Sequence, residues 1–148
     1  MKTVDIYTDG ACSGNPGVGG YAAILIYNGI EKVISGSELD TTNNRMELIA
    51  VIKGLEALKE QCTVNLYSDS QYVIDAFLQN WVFAWQQGGW KTASKKPVKN
   101  QDLWLSLLEL YNYHKINFIK VKGHADNEYN NRCDKIAVAE YKKIQETT

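Results

Sequence analysis

Tyr7-Thr8-Asp9-Gly10-Ala11-Cys12-Ser13-Gly14-Asn15-Pro16-Gly17-Val18-Gly19-Gly20-Tyr21 sets one carboxylate at the end of a strand and follows it with a loop rich in backbone donors. Upstream, Val4 and Ile6 alternate with Asp5 and Tyr7 in the period-2 pattern of a half-buried strand. Asp9 therefore stands where extended backbone gives way to glycines. Gly14, Gly17, Gly19 and Gly20 leave room for main-chain N–H groups to approach a bulky anion. Taken alone, Asp9-Gly10 also reads as a turn, because Asp bonds its own backbone and Gly accepts positive φ.

Downstream, a second strand is predicted from about 21 to 27, a type I′ turn at Asn28-Gly29, and a third strand from about 31 to 37, together an antiparallel meander. At Thr41-Thr42-Asn43-Asn44 the pattern changes. Capping side chains precede Glu47, and Leu48, Val51, Ile52, Leu55 and Leu58 recur at helical spacing. Thr63 to Tyr67 reads as the fourth strand, and Ser68-Asp69-Ser70 closes it and caps a helix over 71–78. A further helix is predicted over about 101–114, a fifth strand over 115–121 and a last helix over about 128–144.

Three strands followed by alternating helices and strands predict an α/β fold with a five-stranded mixed sheet flanked by helices. Helical crossovers make strands one, four and five parallel. Ligands of such sheets bind at the carboxyl ends of the parallel strands, where Asp9, Asp69 and His124 fall.

At 148 residues the chain is long enough to bury roughly two-thirds of its unfolded surface as one domain, residues 1–148. A composition of 45% hydrophobic and 22% charged residues is that of a soluble globular protein, and no apolar run suits a membrane span or a signal peptide. Cys12, Cys62 and Cys133 are odd in number and widely spaced, which argues against a disulfide framework or a zinc site and for a reducing, cytoplasmic compartment. Net charge is −1, yet no acid lies between Asp75 and Asp102, while Lys91, Lys95, Lys96 and Lys99 cluster beside Trp81, Trp85 and Trp90. A basic, aromatic protrusion at about 80–100 thus sits on a neutral body.

Glu47 and Asp134 carry carboxylates beside apolar stripes of their helices. Each acid has an ordinary reading: Glu47 as a helix N-terminal charge, Asp69 as an N-cap, Asp134 as a solvated helix residue. Jointly, Asp9, Glu47, Asp69 and Asp134 would converge at one sheet edge and repel one another, driving carboxylate pKa values upward. Hard divalent cations relieve such repulsion, and all-oxygen ligation suits Mg²⁺ or, as a substitute, Mn²⁺. Two ions about 4 Å apart would polarise a phosphodiester and activate water.

The motifs at 7–17, 41–48, 68–73, 89–93, 96–100, 121–125 and 131–134 together resemble type 1 ribonuclease H of the bacterial single-domain kind, in order and over nearly the whole chain. The resemblance implies a monomeric endonuclease that cuts the RNA strand of an RNA–DNA hybrid, leaving 3′-hydroxyl and 5′-phosphate ends. It implies that Asp9, Glu47, Asp69 and Asp134 hold two Mg²⁺ ions and that His124 assists proton transfer or product release. Cys12, Ser13, Asn15, Asn43, Asn44 and Gln71 resemble the family's minor-groove contacts, with Thr42 and Asn15 at a DNA-strand phosphate. Reading RNA through 2′-hydroxyls leaves little sequence specificity.

The protrusion, which in the family grips the DNA strand, departs from the pattern. Trp81-Val82-Phe83-Ala84-Trp85-Gln86-Gln87 has no positive charge where relatives often carry several, so the grip falls to Lys91, Lys95, Lys96, Lys99 and the aromatics Trp81, Trp85 and Trp90. Packing of Val82, Phe83 and Trp85 onto a neighbouring helix is an equally good reading of that segment. A catalytically silent hybrid-binding module is the alternative function, disfavoured because binding alone does not require a repulsive acidic cluster. A third reading, another nuclease on the same fold such as an integrase, transposase or resolvase, is disfavoured by the glycine loop and the protrusion motifs.

Overall fold

The computed structural model describes residues 1–122 and 127–147. The N-terminal alternation forms β1 (Lys2–Cys12), with Val4, Ile6 and Thr8 buried on one face and Asp5, Tyr7 and Asp9 on the other. β2 (Gly17–Tyr27) and β3 (Ile30–Thr41) follow, joined through Asn28 (φ 51°) and Gly29 (φ 76°), the two left-handed positions that a type I′ turn requires. All three strands are longer than the sequence pattern suggests. Gly19 and Gly20 pair with Cys12 and Ala11 on one side and with Glu38 and Ser37 on the other, so much of the glycine-rich stretch is sheet rather than loop.

α1 (Asn43–Glu56) starts at Thr42, whose side chain accepts a hydrogen bond from the Arg45 amide at 3.2 Å. Then come β4 (Cys62–Ser68), α2 (Gln71–Leu78), α3 (Trp81–Gln87), α4 (Gln101–Tyr113), β5 (Lys115–Lys120) and α5 (Glu128–Thr147). The sheet order is β3-β2-β1-β4-β5, with β1, β4 and β5 parallel and the β1–β2–β3 meander antiparallel. α3 is a helix that the sequence pattern did not mark. It forms because Val82 is fully buried and Phe83 sets its ring edge-on to Phe77, 6.0 Å away.

One face of the sheet presents Val4, Ile6, Ala23, Leu25, Val64 and Leu66 to α1, α2 and α4. The opposite face presents Ala22 and Ile24 to Cys133 and Ala137 of α5. α5 lies so close that a Cβ on Gly20 would strike the Ala137 carbonyl. No described helix is long and apolar enough to cross a membrane.

Trp104 of α4 is fully buried among Tyr72, Trp85 and Phe77, with ring centroids 5.4, 5.4 and 6.2 Å away, and its indole N–H donates to Tyr72 Oη at 3.2 Å. It ties α2, α3 and α4 together. Trp104→Ala is expected to cost about 3–5 kcal/mol, read from urea unfolding as a lower midpoint at similar slope.

Candidate active site

The parallel register of β1 and β4 sets Tyr7 opposite Tyr67, and their rings stack at 4.4 Å. The same register carried on along both chains brings Asp9 level with Asp69, so two carboxylates meet where β4 has just ended. Asp69 does not cap α2. Ser70 does so, its hydroxyl accepting from the Val73 amide at 3.3 Å, and Ser68 Oγ accepts from the Ser70 amide at 3.0 Å. With the capping carried by serines, the Asp69 carboxylate is left to the cleft.

Glu47 reaches the same place from α1. Thr42 caps that helix and its first turn holds no acid, so Glu47 has no capping duty. The Gly10 amide donates to both Asp9 Oδ1, at 2.9 Å, and Glu47 Oε1. A side chain at Gly10 would collide with the backbone of Met46 and Glu47. Only glycine lets the helix lie directly on β1 and bring Glu47 down beside Asp9.

Asp9, Glu47 and Asp69 each offer a carboxylate oxygen, all within 4.8 Å of one another. Asp9 and Glu47 are only 7% and 5% exposed, which makes the cluster costly when charged. Burial, together with the charges of Asp69 and Asp134, pushes Asp9 up to about 7, against a smaller opposing effect of its hydrogen bonds to Glu47 and the Gly10 amide. Burial first, then the charge of Asp9, holds Glu47 well above the usual carboxylate range. Among the described residues, no lysine or arginine forms an ion pair with Asp9, Glu47, Asp69 or Asp134. An all-oxygen, anionic and uncompensated donor set fits a hard divalent cation. Nearby Cys133 does not supply a thiolate: burial pushes it up to about 12, and its thiol donates to the Tyr7 carbonyl at 3.3 Å.

Asp134 of α5 lines the same open cavity of about 420 Å³, as do Cys12, Asn43, Asn44 and Gln71. Ser13, Asn15 and Thr42 stand back from the cavity and shape its rim. The Ser13 hydroxyl donates to the Val18 carbonyl at 2.9 Å, Asn15 Oδ1 accepts from the Asn43 amide at 3.1 Å, and Thr42 is the α1 cap. His124 lies outside the described residues. The sequence reading missed Tyr72, which also lines the cavity and whose hydroxyl accepts from Asn100 Nδ2 at 3.0 Å. It also missed Lys120 and Lys122, which wall a neighbouring hollow shared with Asp69 and Gln71. Their signal was the lysine pair at the carboxyl end of β5.

In the protrusion, Lys91, Lys95, Lys96 and Lys99 are exposed, and Lys91 bridges Pro97 across a small antiparallel turn. Trp81 is exposed. Trp85 and Trp90 are half-buried against the core, so packing onto neighbouring helices accounts for much of Trp85 as well as for Val82 and Phe83.

The RNase H family model matches residues 1–142. The chain is 65% identical over 143 residues to Ribonuclease H of Acetivibrio thermocellus, covering 97% of each protein. It is 63% identical to Ribonuclease H of a Thermoanaerobacter species, covering 97% of this chain and 92% of that protein. Among solved structures it resembles LC9-RNase H1, described as a type 1 RNase H with the type 2 active-site motif, with a TM-score of 0.86 at 30% identity over 97% of this chain and 74% of that one. LC11-RNase H1, solved in complex with an RNA/DNA hybrid, shares the fold with a TM-score of 0.70 at 21% identity, over 96% of this chain and 99% of that one. Carboxylates grouped at the end of a five-stranded mixed sheet, and these relatives over nearly the whole length, make the chain a nuclease of the type 1 ribonuclease H family.

Proposed function

We propose that the protein is an endonuclease that hydrolyses the RNA strand of RNA–DNA hybrids, leaving 3′-hydroxyl and 5′-phosphate ends with little sequence preference. The observation that carries this reading is the group of three acids within 4.8 Å of one another, on the floor of an open cavity walled by amide side chains. Asp9, Glu47, Asp69 and Asp134 would hold two Mg²⁺ ions, with Mn²⁺ able to replace them. When bound, the ions supply Lewis acidity and charge neutralisation at the scissile phosphate.

The chain's own part is positioning. The Gly10 amide fixes Glu47 against Asp9, and the serine caps leave Asp69 unengaged. Cys12, Asn43, Asn44 and Gln71 offer short polar groups and backbone to the shallow minor groove, where the 2′-hydroxyl marks the RNA strand. Ser13 supports that wall, while Asn15 and Thr42 order the start of α1 beside a DNA-strand phosphate. Lys122, and Lys120 on release from its ion pair with Asp75 at 3.9 Å, would meet a phosphate next to the cut. His124 assists proton transfer or product release. Lys91, Lys95, Lys96 and Lys99, with Trp81, Trp85 and Trp90, hold the DNA strand away from the cut.

The decisive experiment compares end-labelled RNA–DNA hybrid, duplex RNA and single-stranded RNA, with Mg²⁺ and with chelator. Cutting confined to the hybrid's RNA strand is expected, and Asp69→Asn is expected to slow it by at least about 100-fold. Hybrid bound but never cut would instead identify a binding module.

Proton linkage gives a second test. Asp9 titrates near 7 rather than at its ordinary 3.8, so its contribution to the stability of the ion-free protein is full below pH 4 and is lost as pH rises to about 7. Without divalent ions, Asp9→Asn is expected to melt above wild type at pH 8, with the gap narrowing as pH falls and closing only near pH 4. Mg²⁺ is expected to raise the wild-type melting temperature at pH 8 and to bind more tightly as pH rises from 5.5 to 8, releasing protons in calorimetry.

The uncharged α3 predicts modest hybrid affinity with a shallow salt dependence. Gln86→Lys with Gln87→Lys is expected to tighten binding and steepen the slope of log affinity against log salt by about one for each further phosphate neutralised. Lys95→Ala is expected to flatten it by a similar amount.

A further inference from the structure

Beside the acid-lined cavity lies a second hollow of about 640 Å³, lined by Asp69, Gln71, Lys120, Val121 and Lys122. The parallel ladder explains why lysines reach it. Lys120 of β5 lies opposite Ser68 of β4, the residue before Asp69, and the Val121 amide donates to the Ser68 carbonyl at 3.0 Å. β5 therefore delivers its last side chains to the edge of the acidic cluster.

Lys120 already has a counterion. Its ammonium stands 3.9 Å from Asp75 Oδ2, too far for a hydrogen bond, and the two side chains are 40% and 18% exposed. Asp75 does not serve its own helix: Ser70 caps α2, and Asp75 falls in the last turn, where no base is present and a carboxylate opposes the helix dipole. It is also the last acid before the basic protrusion. A loose, part-exposed pair of this kind is weak and readily exchanged. A phosphate offers Lys120 a full charge and shorter, charge-assisted hydrogen bonds. Lys122 is exposed and pairs with no acid among the described residues, so it needs no such release.

We propose that this hollow binds the RNA-strand phosphate next to the scissile one, and that Asp75 is a built-in competitor for it, holding Lys120 until the phosphate displaces the carboxylate. The choice of strand rests on the hybrid-cleaving function proposed above, because the hollow shares Asp69 with the cavity in which that strand is cut. Competition weakens the hold on substrate and product alike. The ground state is thus kept from becoming too stable, and the cut strand leaves more readily. A purely structural ion pair tying α2 to β5 differs in sign, since removing Asp75 would then loosen the fold without tightening the grip on substrate.

Steady-state cleavage of an RNA–DNA hybrid by the full chain in Mg²⁺ tests this, comparing wild type, Asp75→Asn, Lys120→Ala and the double variant, with melting curves to show that each is folded. Asp75→Asn is expected to lower KM by about threefold or more with kcat no higher than wild type. It is also expected to steepen the slope of log kcat/KM against log salt by up to about one, the mark of a further phosphate contact. Lys120→Ala is expected to raise KM. In the Lys120→Ala background, Asp75→Asn is expected to change KM by less than about twofold, because its effect acts through that ammonium. Lys122→Ala is expected to raise KM by the same factor whether or not Asp75 is present. The proposal is overturned if Asp75→Asn leaves KM unchanged or raises it, if it lowers KM as much without Lys120, or if Lys120→Ala leaves KM at the wild-type value. Wild type that cuts no hybrid would remove the hybrid-cleaving function and this proposal together, whereas cleavage with a KM indifferent to Asp75 removes the proposal alone.

Discussion

The backbone of α1 rests directly on β1 at Gly10, and the acidic end of the molecule depends on that contact. Any side chain at this position would meet the Met46 and Glu47 main chain and lift the helix. The amide it leaves accessible binds both Asp9 and Glu47, so one glycine sets the distance between strand and helix and the orientation of two acids. The rest of the site follows from where that helix then lies.

Bringing acids together in a protected place works against folding. Asp9 and Glu47 are buried, share one amide donor and face Asp69, and both titrate high as a result. The surrounding fold over-determines their position. The Tyr7–Tyr67 stack holds β1 and β4 in register, Tyr129 of α5 stacks on Tyr7 at 4.9 Å, and Trp104 ties the helices of the opposite face into one core. Repulsion held in place by packing is a condition in which a cation gains affinity without the protein having to rearrange.

The two ends of the sheet have opposite electrostatic character for a common geometric reason: strands outrun the helices that cover them. At the carboxyl end of β1 and β4 the uncovered space is lined by acids and amides. At the hairpin end, where α1 stops short of Tyr27 and Ile30, it is apolar with lysines around it. A chain of near-zero net charge thus carries two surfaces of different character, which a whole-chain charge conceals.

Much of the architecture was legible in the sequence, because alternation, the Asn28-Gly29 turn and the capping run before α1 are local signals. The glycine-rich stretch misled as to strand length, since ladder pairing of Gly19 and Gly20 depends on neighbours far along the chain. α3 was missed because its seven residues owe their helix to burial of Val82 rather than to periodicity. The acids themselves could be named from their motifs, but not their relation to one another. That Ser70 rather than Asp69 caps α2, and that Tyr72, Lys120 and Lys122 border the cleft, is visible only once the elements are packed. By itself the sequence determined the order and type of most elements and which carboxylates to consider, since these follow from short-range backbone preference and residue chemistry. Tertiary structure alone decided that Asp9 and Asp69 share a register, that Glu47 is buried beside them and that the hairpin end is left bare, because each depends on how closely one element's backbone can approach another.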